Sequence, residues 1–345
     1  MSRIQTSVTR LLGVRSPIVA APMAGASTVR LALEASRGGG FGFTAAGYGD
    51  AQMLHSDLQV ARTVSSVEMR HGLPIGVGFL GWQLDQQPSA LDMLRTVRNS
   101  DVQAVWFAFG KDLGRWINHV RELDSHADDG RKTIIFVQVN SLREALVAVH
   151  EWKVDVLVAQ GIESGGHGNG SAPSTFTLVS SILSALPHSG PPVLAAGGLA
   201  NGTHAAAYLT LGCAGAVFGT RFLLTPESLY TDAQKAALIS AGPESTVRTM
   251  AFDQARGTLG WPNGVDGRAI RNETVADVEA GVDMQEVKKK FQEAVNGGDP
   301  TRMLVWAGEG VHLMREIKGA KVLVEEIHSE MVLALESAGL LVQHD

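Results

Sequence analysis

One histidine of this sequence occupies a position suited to a reacting side chain. His167 belongs to residues 159–168, which read Ala-Gln-Gly-Ile-Glu-Ser-Gly-Gly-His-Gly and directly follow an apolar run. Flanking glycines supply backbone freedom and little packing, so a core-filling role explains this imidazole poorly. Because an ordinary histidine has a pKa of about 6.5, it suits proton transfer or the stabilisation of an anion. We predict that His167 is catalytic. A hydrogen bond that only shapes the loop is the alternative, and we expect Glu163 to orient that loop.

Two glycine-rich segments follow later apolar runs and favour a phosphate site. One run ends at Gly197 and Gly198, and the next ends at Gly219 and Thr220. Glycine lets the backbone approach a ligand closely, and backbone N–H groups with a hydroxyl suit a phosphate. Turn geometry alone is the alternative explanation, but the pairing of the two segments favours phosphate binding.

Side chains at three other run ends suit a flat ring that carries heteroatoms. Residues 21–25 read Ala-Pro-Met-Ala-Gly, a proline-fixed turn whose backbone can lie against such a ring. Gln138 and Gln160 end two further runs, where their amides would hydrogen-bond a cofactor ring. Each glutamine alone has a structural explanation, whereas the pair at adjacent strand ends favours cofactor binding.

The elements that position these residues are short apolar runs, each followed by a helix-like stretch. Continuous apolar strands that alternate with helices predict a parallel sheet covered by helices, and eight such units close a barrel. Active sites of such barrels lie at the carboxyl ends of the strands. The predicted fold is therefore α/β, a (β/α)8 TIM barrel, with strands at 18–21, 42–45, 75–79, 104–107, 134–139, 156–159, 193–196 and 216–219 and helices including 28–36, 141–150, 175–186 and 204–211.

The pattern changes after the eighth run. Residues from about 225 to 300 predict helices and loops without further strong strands, and a helical pattern returns over 301–341. We therefore expect a barrel over 1–225, an added helical region on the substrate side over 226–300, and C-terminal helices over 301–345 that close the barrel.

Composition and charge exclude several classes of function. The formal net charge is −6 and no basic cluster occurs, which argues against binding to nucleic acid or an anionic membrane. No apolar run approaches the roughly 18 residues of a membrane span, and the first residues lack the apolar core of a signal peptide. We expect a cytoplasmic protein with a small-molecule partner.

Other motifs are absent or do not fit their context. Cys213 is the only cysteine, which excludes an intramolecular disulfide and reads as a small buried thiol. No Cys/His spacing typical of a metal site occurs, so no metal is predicted. Residues 40–45 match the letters of a dinucleotide fingerprint, but they follow a helix and enter a strand, which is the wrong context.

Several of these segments together resemble the nitronate monooxygenases, formerly called 2-nitropropane dioxygenases. The likeness rests on residues 21–25, 160–167, 196–199 and 218–223, and it extends to 246–249, 267–272 and 305–308. The resemblance implies an FMN barrel with His167 as the catalytic residue and the phosphate at Gly198, Gly219 and Thr220. Many bacterial members carry an Asn that contacts the flavin where this chain has Gly78. The expected cofactor-binding residues are Ala21, Pro22, Met23, Ala24, Gly78, Gln138, Gln160, Gly165, Gly166, Gly197, Gly198, Gly219 and Thr220.

The resemblance implies FMN-dependent oxidation of alkyl nitronates with dioxygen, which yields a carbonyl compound and nitrite. Relatives with the same Gly-Gly-His segment include FMN enoyl reductases and NADH:quinone reductases, so a reductase fed by NAD(P)H is the alternative. A barrel that binds a phosphate ligand without redox function is a third possibility. Fold alone does not decide among them.

Overall fold

Eight parallel strands close a barrel in the computed structural model, which describes residues 3–64 and 72–341. Each strand pairs in register with the next, and β9 pairs with β1 to complete the ring. The predicted barrel and its strands are confirmed, with ends that differ by one or two residues. The barrel strands are β1 Ile18–Ala20, β2 Phe41–Ala45, β3 Leu73–Leu80, β4 Val102–Ala108, β5 Ile134–Val139, β6 Val156–Gln160, β8 Val193–Ala196 and β9 Gly215–Phe218.

Helices between the strands cover the outside of the barrel, and the helices within residues 232–297 pack into separate clusters after the last barrel strand. The helices are α1 Ser7–Leu12, α2 Val29–Arg37, α3 Ala51–Val64, α4 Gly81–Gln86, α5 Ala90–Asn99, α6 Leu113–Ser125, α7 Leu142–His150, α8 Thr175–Ala185, α9 Gly202–Leu211, α10 Thr220–Leu223, α11 Asp232–Ser240, α12 Ala251–Arg256, α13 Glu273–Glu279, α14 Met284–Gly297 and α15 Ala320–Gly339. None of the helices in residues 3–64 and 72–341 is both long and apolar enough to cross a membrane.

Aromatic side chains fill the inside of the barrel. The rings of Phe43 and Phe136 meet edge to face at 5.0 Å, and Trp106 stacks on Phe136 at 6.0 Å. Glycine at position 76 makes room for this packing, since a Cβ there would lie 2.1 Å from the ring of Phe43. Outside the barrel, Cys213 is buried as expected, and burial raises the pKa of its thiol to about 12.

A second, antiparallel sheet stands outside the barrel. Its strand order is β10, β11, β7, with β7 Gly166–Asn169, β10 Thr246–Thr249 and β11 Val265–Ile270. Residues 226–300, in which we expected helices and loops without further strong strands, thus contribute two short strands, and the segment around His167 is a short strand rather than a loop. Four-residue strands rich in Gly, Arg and His carry little apolar periodicity, so their pairing with distant partners decides their structure.

The C-terminal helix closes the gap between the first and last barrel units. α15 packs against α9 and α2 and buries Leu323, Val324 and Ile327 among others. The helical pattern expected over 301–341 is interrupted, because the chain forms only a 3-10 turn at Glu309–Leu313 before α15 begins. The division of the chain into segments at 225 and 300 stays a prediction. Residues 1–2, 65–71 and 342–345, which fall within the predicted segments, lie outside the described part of the chain.

Candidate active site

A cavity of about 1140 Å³, including its open mouth, lies at the carboxyl ends of the barrel strands. Nearly all of the expected site residues line it, although they come from five strand ends and from the second sheet. These residues are Ala21, Pro22, Met23, Ala24, Gln138, Gln160, Gly165, Gly166, His167, Gly197, Gly198, Gly219 and Thr220. The structure therefore brings together what the strand-end rule of such barrels predicted.

Gly78 is the exception and does not line this cavity. A Cβ at position 78 would lie 2.3 Å from the Cβ of Pro22, whose ring occupies the space beside the glycine. Pro22 does face the cavity, so Gly78 contributes by admitting the proline ring. A direct contact of Gly78 with the cofactor stays a prediction.

His167 extends from β7 and is held by a buried carboxylate. Its Nε2 lies 3.1 Å from Oδ1 and 2.9 Å from Oδ2 of Asp253, which belongs to α12. The Asp253 side chain is 0% exposed. Oδ1 also accepts hydrogen bonds from Thr258 Oγ1 at 2.7 Å and from Trp261 Nε1 at 3.1 Å. The Asp253 carboxylate thus connects α12 with β7 and with the turn that contains Thr258 and Trp261.

Two tryptophans enclose the imidazole. Trp261 stacks on His167 with ring centroids 3.5 Å apart and planes inclined by 14°, and Trp306 meets it edge to face at 4.8 Å. The buried hydroxyl of Tyr230 holds the backbone of Trp306. It accepts a hydrogen bond from the backbone N–H of Trp306 at 2.8 Å and donates one to the backbone carbonyl of the same residue at 3.3 Å. The ring of His167 therefore has one well-defined orientation.

Burial and neighbouring charges set the protonation of this pair. Burial lowers the pKa of His167, and the Arg256 and Arg248 guanidiniums lower it further, while Asp253 opposes them. Burial alone would raise the pKa of Asp253, but hydrogen bonds from His167, Thr258 and Trp261 outweigh it and lower that pKa. Near neutral pH the arrangement therefore consists of a neutral imidazole beside an ionised carboxylate.

Two arginines of the second sheet brace the segment that leads to His167. Arg248 on β10 and Arg268 on β11 each donate to the carbonyl of Ile162, both at 3.2 Å. Arg248 also donates to the carbonyl of Gly168 at 2.8 Å and pairs with Asp266. A guanidinium presents several N–H donors in a rigid plane, so these two side chains can hydrogen-bond backbone carbonyls both before and after His167.

The glycine-rich end of the cavity is closed by a third segment. Gly197 and Gly198 have φ of +118° and +72°, a left-handed conformation that favours glycine. The N–H of Gly308 donates to Thr220 Oγ1 at 2.9 Å, which brings the segment before the 3-10 turn onto this end. A Cβ at Gly219 would make only ordinary contacts, with Met23 at 3.8 Å and Ala21 at 4.0 Å, so this backbone is uncrowded.

Two half-buried amides and one buried hydroxyl line the cavity. Gln138 Nε2 donates to Gln160 Oε1 at 2.7 Å, and Gln160 Nε2 donates to the carbonyl of His167 at 3.3 Å. The two glutamine side chains are therefore hydrogen-bonded to each other, and Gln160 also holds the backbone of β7. Ser164 Oγ is buried and makes no hydrogen bond to any residue of 3–64 or 72–341. An orphaned buried hydroxyl in a cavity wall is the kind of group that a polar ligand atom satisfies.

Glu163 orients its segment and does not face the cavity. Its carboxylate accepts from the N–H of Thr175 at 2.9 and 3.0 Å and from Thr175 Oγ1 at 2.8 Å, at the start of α8. This carboxylate at a helix N-terminus matches the orienting role expected for it.

Sequence reasoning missed the groups that surround His167. Asp253 lies 86 residues after His167 in the chain, and a single acidic residue within a short helix gives no sign of its burial. Trp306 belongs to the segment 305–308 that carried the family likeness, which was the available signal. Trp261 follows Gly260 in a turn whose polar, glycine-rich composition predicted only a loop. The described residues hold no cluster of three or more His, Cys, Asp or Glu side chains that could bind a metal ion.

Comparison with known proteins gives consistent matches over nearly the whole chain. A model of the nitronate monooxygenase family matches residues 5–330. The nitronate monooxygenase npaC of Metarhizium robertsii is 35% identical over 343 residues, which cover 94% of this chain and 93% of that protein.

Two solved structures are similar across the full fold. The structure of FabK from Thermotoga maritima aligns with a TM-score of 0.80 at 27% identity and covers 98% of this chain and 100% of that chain. Nitroalkane oxidase from Streptomyces ansochromogenes aligns with a TM-score of 0.77 at 26% identity and covers 96% of this chain and 99% of that chain. The expected family and the expected enzyme class, a flavin-dependent oxidoreductase, are thereby confirmed. A barrel with this cavity, this histidine and these relatives is an enzyme that belongs to the nitronate monooxygenase family.

Proposed function

We propose that this enzyme uses FMN and dioxygen to oxidise alkyl nitronates, and the nitroalkanes from which they form, to a carbonyl compound and nitrite. The observation that carries the proposal is the imidazole of His167, which lines the cavity at the strand ends and whose Nε2 lies 2.9 Å from Oδ2 of the buried Asp253. Membership of the family supports the reaction class.

The cavity fits FMN in three respects. The left-handed backbone of Gly197 and Gly198 and the uncrowded backbone of Gly219 line the cavity together and would offer a cradle. Backbone N–H groups and the Thr220 hydroxyl would hold the phosphate there. Ser164 Oγ lacks a partner among the described residues, and a polar atom of the flavin would supply one.

The remaining contacts of the cofactor would come from Gln138 and from the first strand end. Gln138 would orient the ring through its amide, and residues 21–24, which line the cavity, would lie along it. Bound FMN would supply the redox chemistry by accepting an electron from the substrate before dioxygen reacts.

His167 would handle the charge of the substrate. With a neutral nitroalkane, the imidazole removes the α-proton and the electron pair moves onto the nitro group. With a preformed nitronate, a protonated imidazole stabilises the anionic oxygens. Trp261 and Trp306 cover the ring and limit the access of water to this proton.

The proposal is tested by anaerobic reduction of the bound flavin. Propyl nitronate alone should bleach the flavin of the holoenzyme, and admission of dioxygen should restore its colour and release nitrite. His167→Asn should keep FMN bound with a near-normal spectrum and lose on the order of 10² to 10⁴ in kcat/KM with neutral nitroalkane. The loss with preformed nitronate should be smaller. A holoenzyme that no nitronate reduces contradicts the proposed function.

One observation favours a second candidate, a reductase fed by NAD(P)H. A further cavity adjoins the first and shares with it Ala24, Tyr230, Arg256 and Trp306, which leaves room for an extended anionic co-substrate beside a cation. Rapid anaerobic bleaching by NADPH, with an enone, enoyl thioester or quinone as acceptor, would support this candidate over the oxidation of nitronates.

A further inference from the structure

The proton of the His167–Asp253 pair has a defined place. Ionised carboxylates carry no proton to donate, so the His167 nitrogen that lies 2.9 Å from Oδ2 and 3.1 Å from Oδ1 must be the donor. Nε2 therefore carries a hydrogen atom whenever Asp253 is ionised. A neutral imidazole has only one N–H, so its other nitrogen, Nδ1, is then an acceptor.

The charged groups that face His167 favour this neutral form. Arg256 stands with Asp253 on α12, and Arg248 approaches from β10. Burial and the two guanidiniums lower the pKa of His167 against the opposing influence of Asp253. Nδ1 makes no hydrogen bond to any residue in the described ranges, and His167 lines the cavity, so this nitrogen is available to a substrate.

We propose that Asp253 is a positioning residue that selects the tautomer of His167 and so makes Nδ1 the base for neutral nitroalkanes. The inference rests on the proposed function for its substrate. In the step itself, the C–H bond at the α-carbon breaks and its proton forms the Nδ1–H bond. The electron pair delocalises onto the nitro oxygens, so a nitronate and an imidazolium result. Asp253 offsets the positive charge of that imidazolium.

The neighbours of Asp253 determine what an asparagine would do in its place. Thr258 Oγ1 and Trp261 Nε1 both donate to Oδ1. An amide at position 253 must therefore put its oxygen at the Oδ1 position and its NH₂ group at the Oδ2 position, nearest to Nε2. This NH₂ group would donate to Nε2, and the single proton of the neutral imidazole would move to Nδ1. Asp253→Asn thus turns the substrate-facing nitrogen from an acceptor into a donor.

The activity experiment compares two substrates on the holoenzyme. Asp253→Asn should lose on the order of 10² to 10⁴ in kcat/KM with neutral nitroethane, because the base is blocked. With preformed ethyl nitronate the loss should stay below about tenfold, because Nδ1–H still donates to the anion. Equal losses in kcat/KM on the two substrates would overturn the proposal.

Thr258→Val is the matched control. It removes one donor to Oδ1 while the carboxylate and its contact with His167 remain. We expect the ratio of nitroethane to nitronate turnover in this variant to stay within about threefold of the wild type, since the carboxylate still accepts from Nε2 after one hydrogen bond to Oδ1 is lost. If Thr258→Val reproduces the selective loss, the carboxylate acts by holding the turn, and tautomer selection is refuted.

A spectroscopic measurement tests the tautomer without turnover. In holoenzyme labelled with ¹⁵N-histidine, the His167 resonances are identified by their disappearance in His167→Asn. The ¹⁵N shifts should show the proton on Nε2 in the wild type and on Nδ1 in Asp253→Asn. A wild-type proton on Nδ1 overturns the inference even if Asp253→Asn fails to fold. Failure of nitronates to reduce the wild-type flavin would instead contradict the proposed function, and the ¹⁵N result would still decide the tautomer.

Discussion

At the scale of single residues, opposing influences set the protonation of His167. Burial and two arginines favour its neutral form, while a carboxylate within hydrogen-bond distance favours its charged form. Burial prevails, so the pKa of His167 lies below its ordinary value. The stacked indole of Trp261 adds a contact that fixes the plane of the ring in either form.

This balance predicts pH profiles that differ in direction for two substrates. The neutral imidazole should persist as the pH falls below about 6.5 and should be lost only at the lower pKa of His167. Turnover of neutral nitroalkane should therefore hold below pH 6.5 and fall in more acidic solution. Turnover of freshly added nitronate, measured as an initial rate, should rise over that same acidic range because the imidazolium binds the anion. Parallel profiles for both substrates would contradict the two roles of His167.

The site was predictable at this scale wherever a residue follows a barrel strand. Gly198, Gly219 and Gln160 lie at the cavity because strand ends of a barrel converge, and the sequence order of the strands is enough to place them. Asp253 and Trp261 follow no barrel strand. Their positions depend on how α12 and the turn after it pack, for which the sequence shows no periodic signal.

At the scale of elements, the barrel and its outer helices follow from continuous apolar runs. β7, β10 and β11 do not, because each is short, and β7 pairs with β11, which lies far away in the chain. His167 pairs with Gly267, and Gly166 pairs with Arg268. Backbone pairing rather than side-chain pattern thus decides whether residues 166–169 form a strand or a loop.

The contact of α2 with β2 gives a prediction about stability. A Cβ at Gly42 would lie 2.2 Å from the carbonyl oxygen and 2.4 Å from the Cα of Ala32, both backbone atoms of α2. Gly42→Ala must therefore move the whole helix, and we expect a loss of about 2 kcal/mol or more in the free energy of unfolding. Urea denaturation followed by circular dichroism measures this change.

Gly297 supplies the control for that substitution. It ends α14, and a Cβ there would meet nothing within 4 Å. Gly297→Ala should leave the stability unchanged or raise it by up to about 1 kcal/mol, because alanine favours helix. A Gly42→Ala variant as stable as Gly297→Ala would show that α2 adjusts without cost.

At the scale of the whole molecule, the cofactor should act as a bridge between strand ends. Segments after β1, β6, β8 and β9 and the segment before the 3-10 turn all meet at the cavity. Any ligand that binds only the folded state stabilises it, by about 2.7 kcal/mol at a free concentration of about 100 Kd. Adding FMN to the apoprotein should therefore raise its Tm by several degrees, as measured by calorimetry.

Two glycine variants test where this stabilisation arises. Gly198→Val should abolish most of the FMN-dependent rise in Tm, because valine is strained at a φ of +72° and its Cβ would lie 3.1 Å from the Cβ of Glu163, which displaces the backbone proposed to hold the phosphate. Gly130→Val is a matched control, since Gly130 has a similar φ of +65°, against +72° for Gly198, and lies outside the cavity lining. It should lower the starting Tm through similar backbone strain but keep the rise on FMN addition. An equal rise in both variants would mean that the phosphate lies elsewhere.

The pairing of β7 with β11 has a consequence for how such an enzyme changes over evolutionary time. The proposed cofactor cradle lies at the ends of barrel strands, whereas His167 belongs to the separate antiparallel sheet with its own hydrogen bonds. Substitutions in the outer sheet can therefore re-aim or replace the reacting side chain while the cradle is inherited intact. If substitutions accumulate faster in the outer sheet than in the barrel, the enzyme can acquire a new reaction while it keeps the same cofactor. The outer sheet is accordingly the part of the chain where directed evolution toward another substrate should begin.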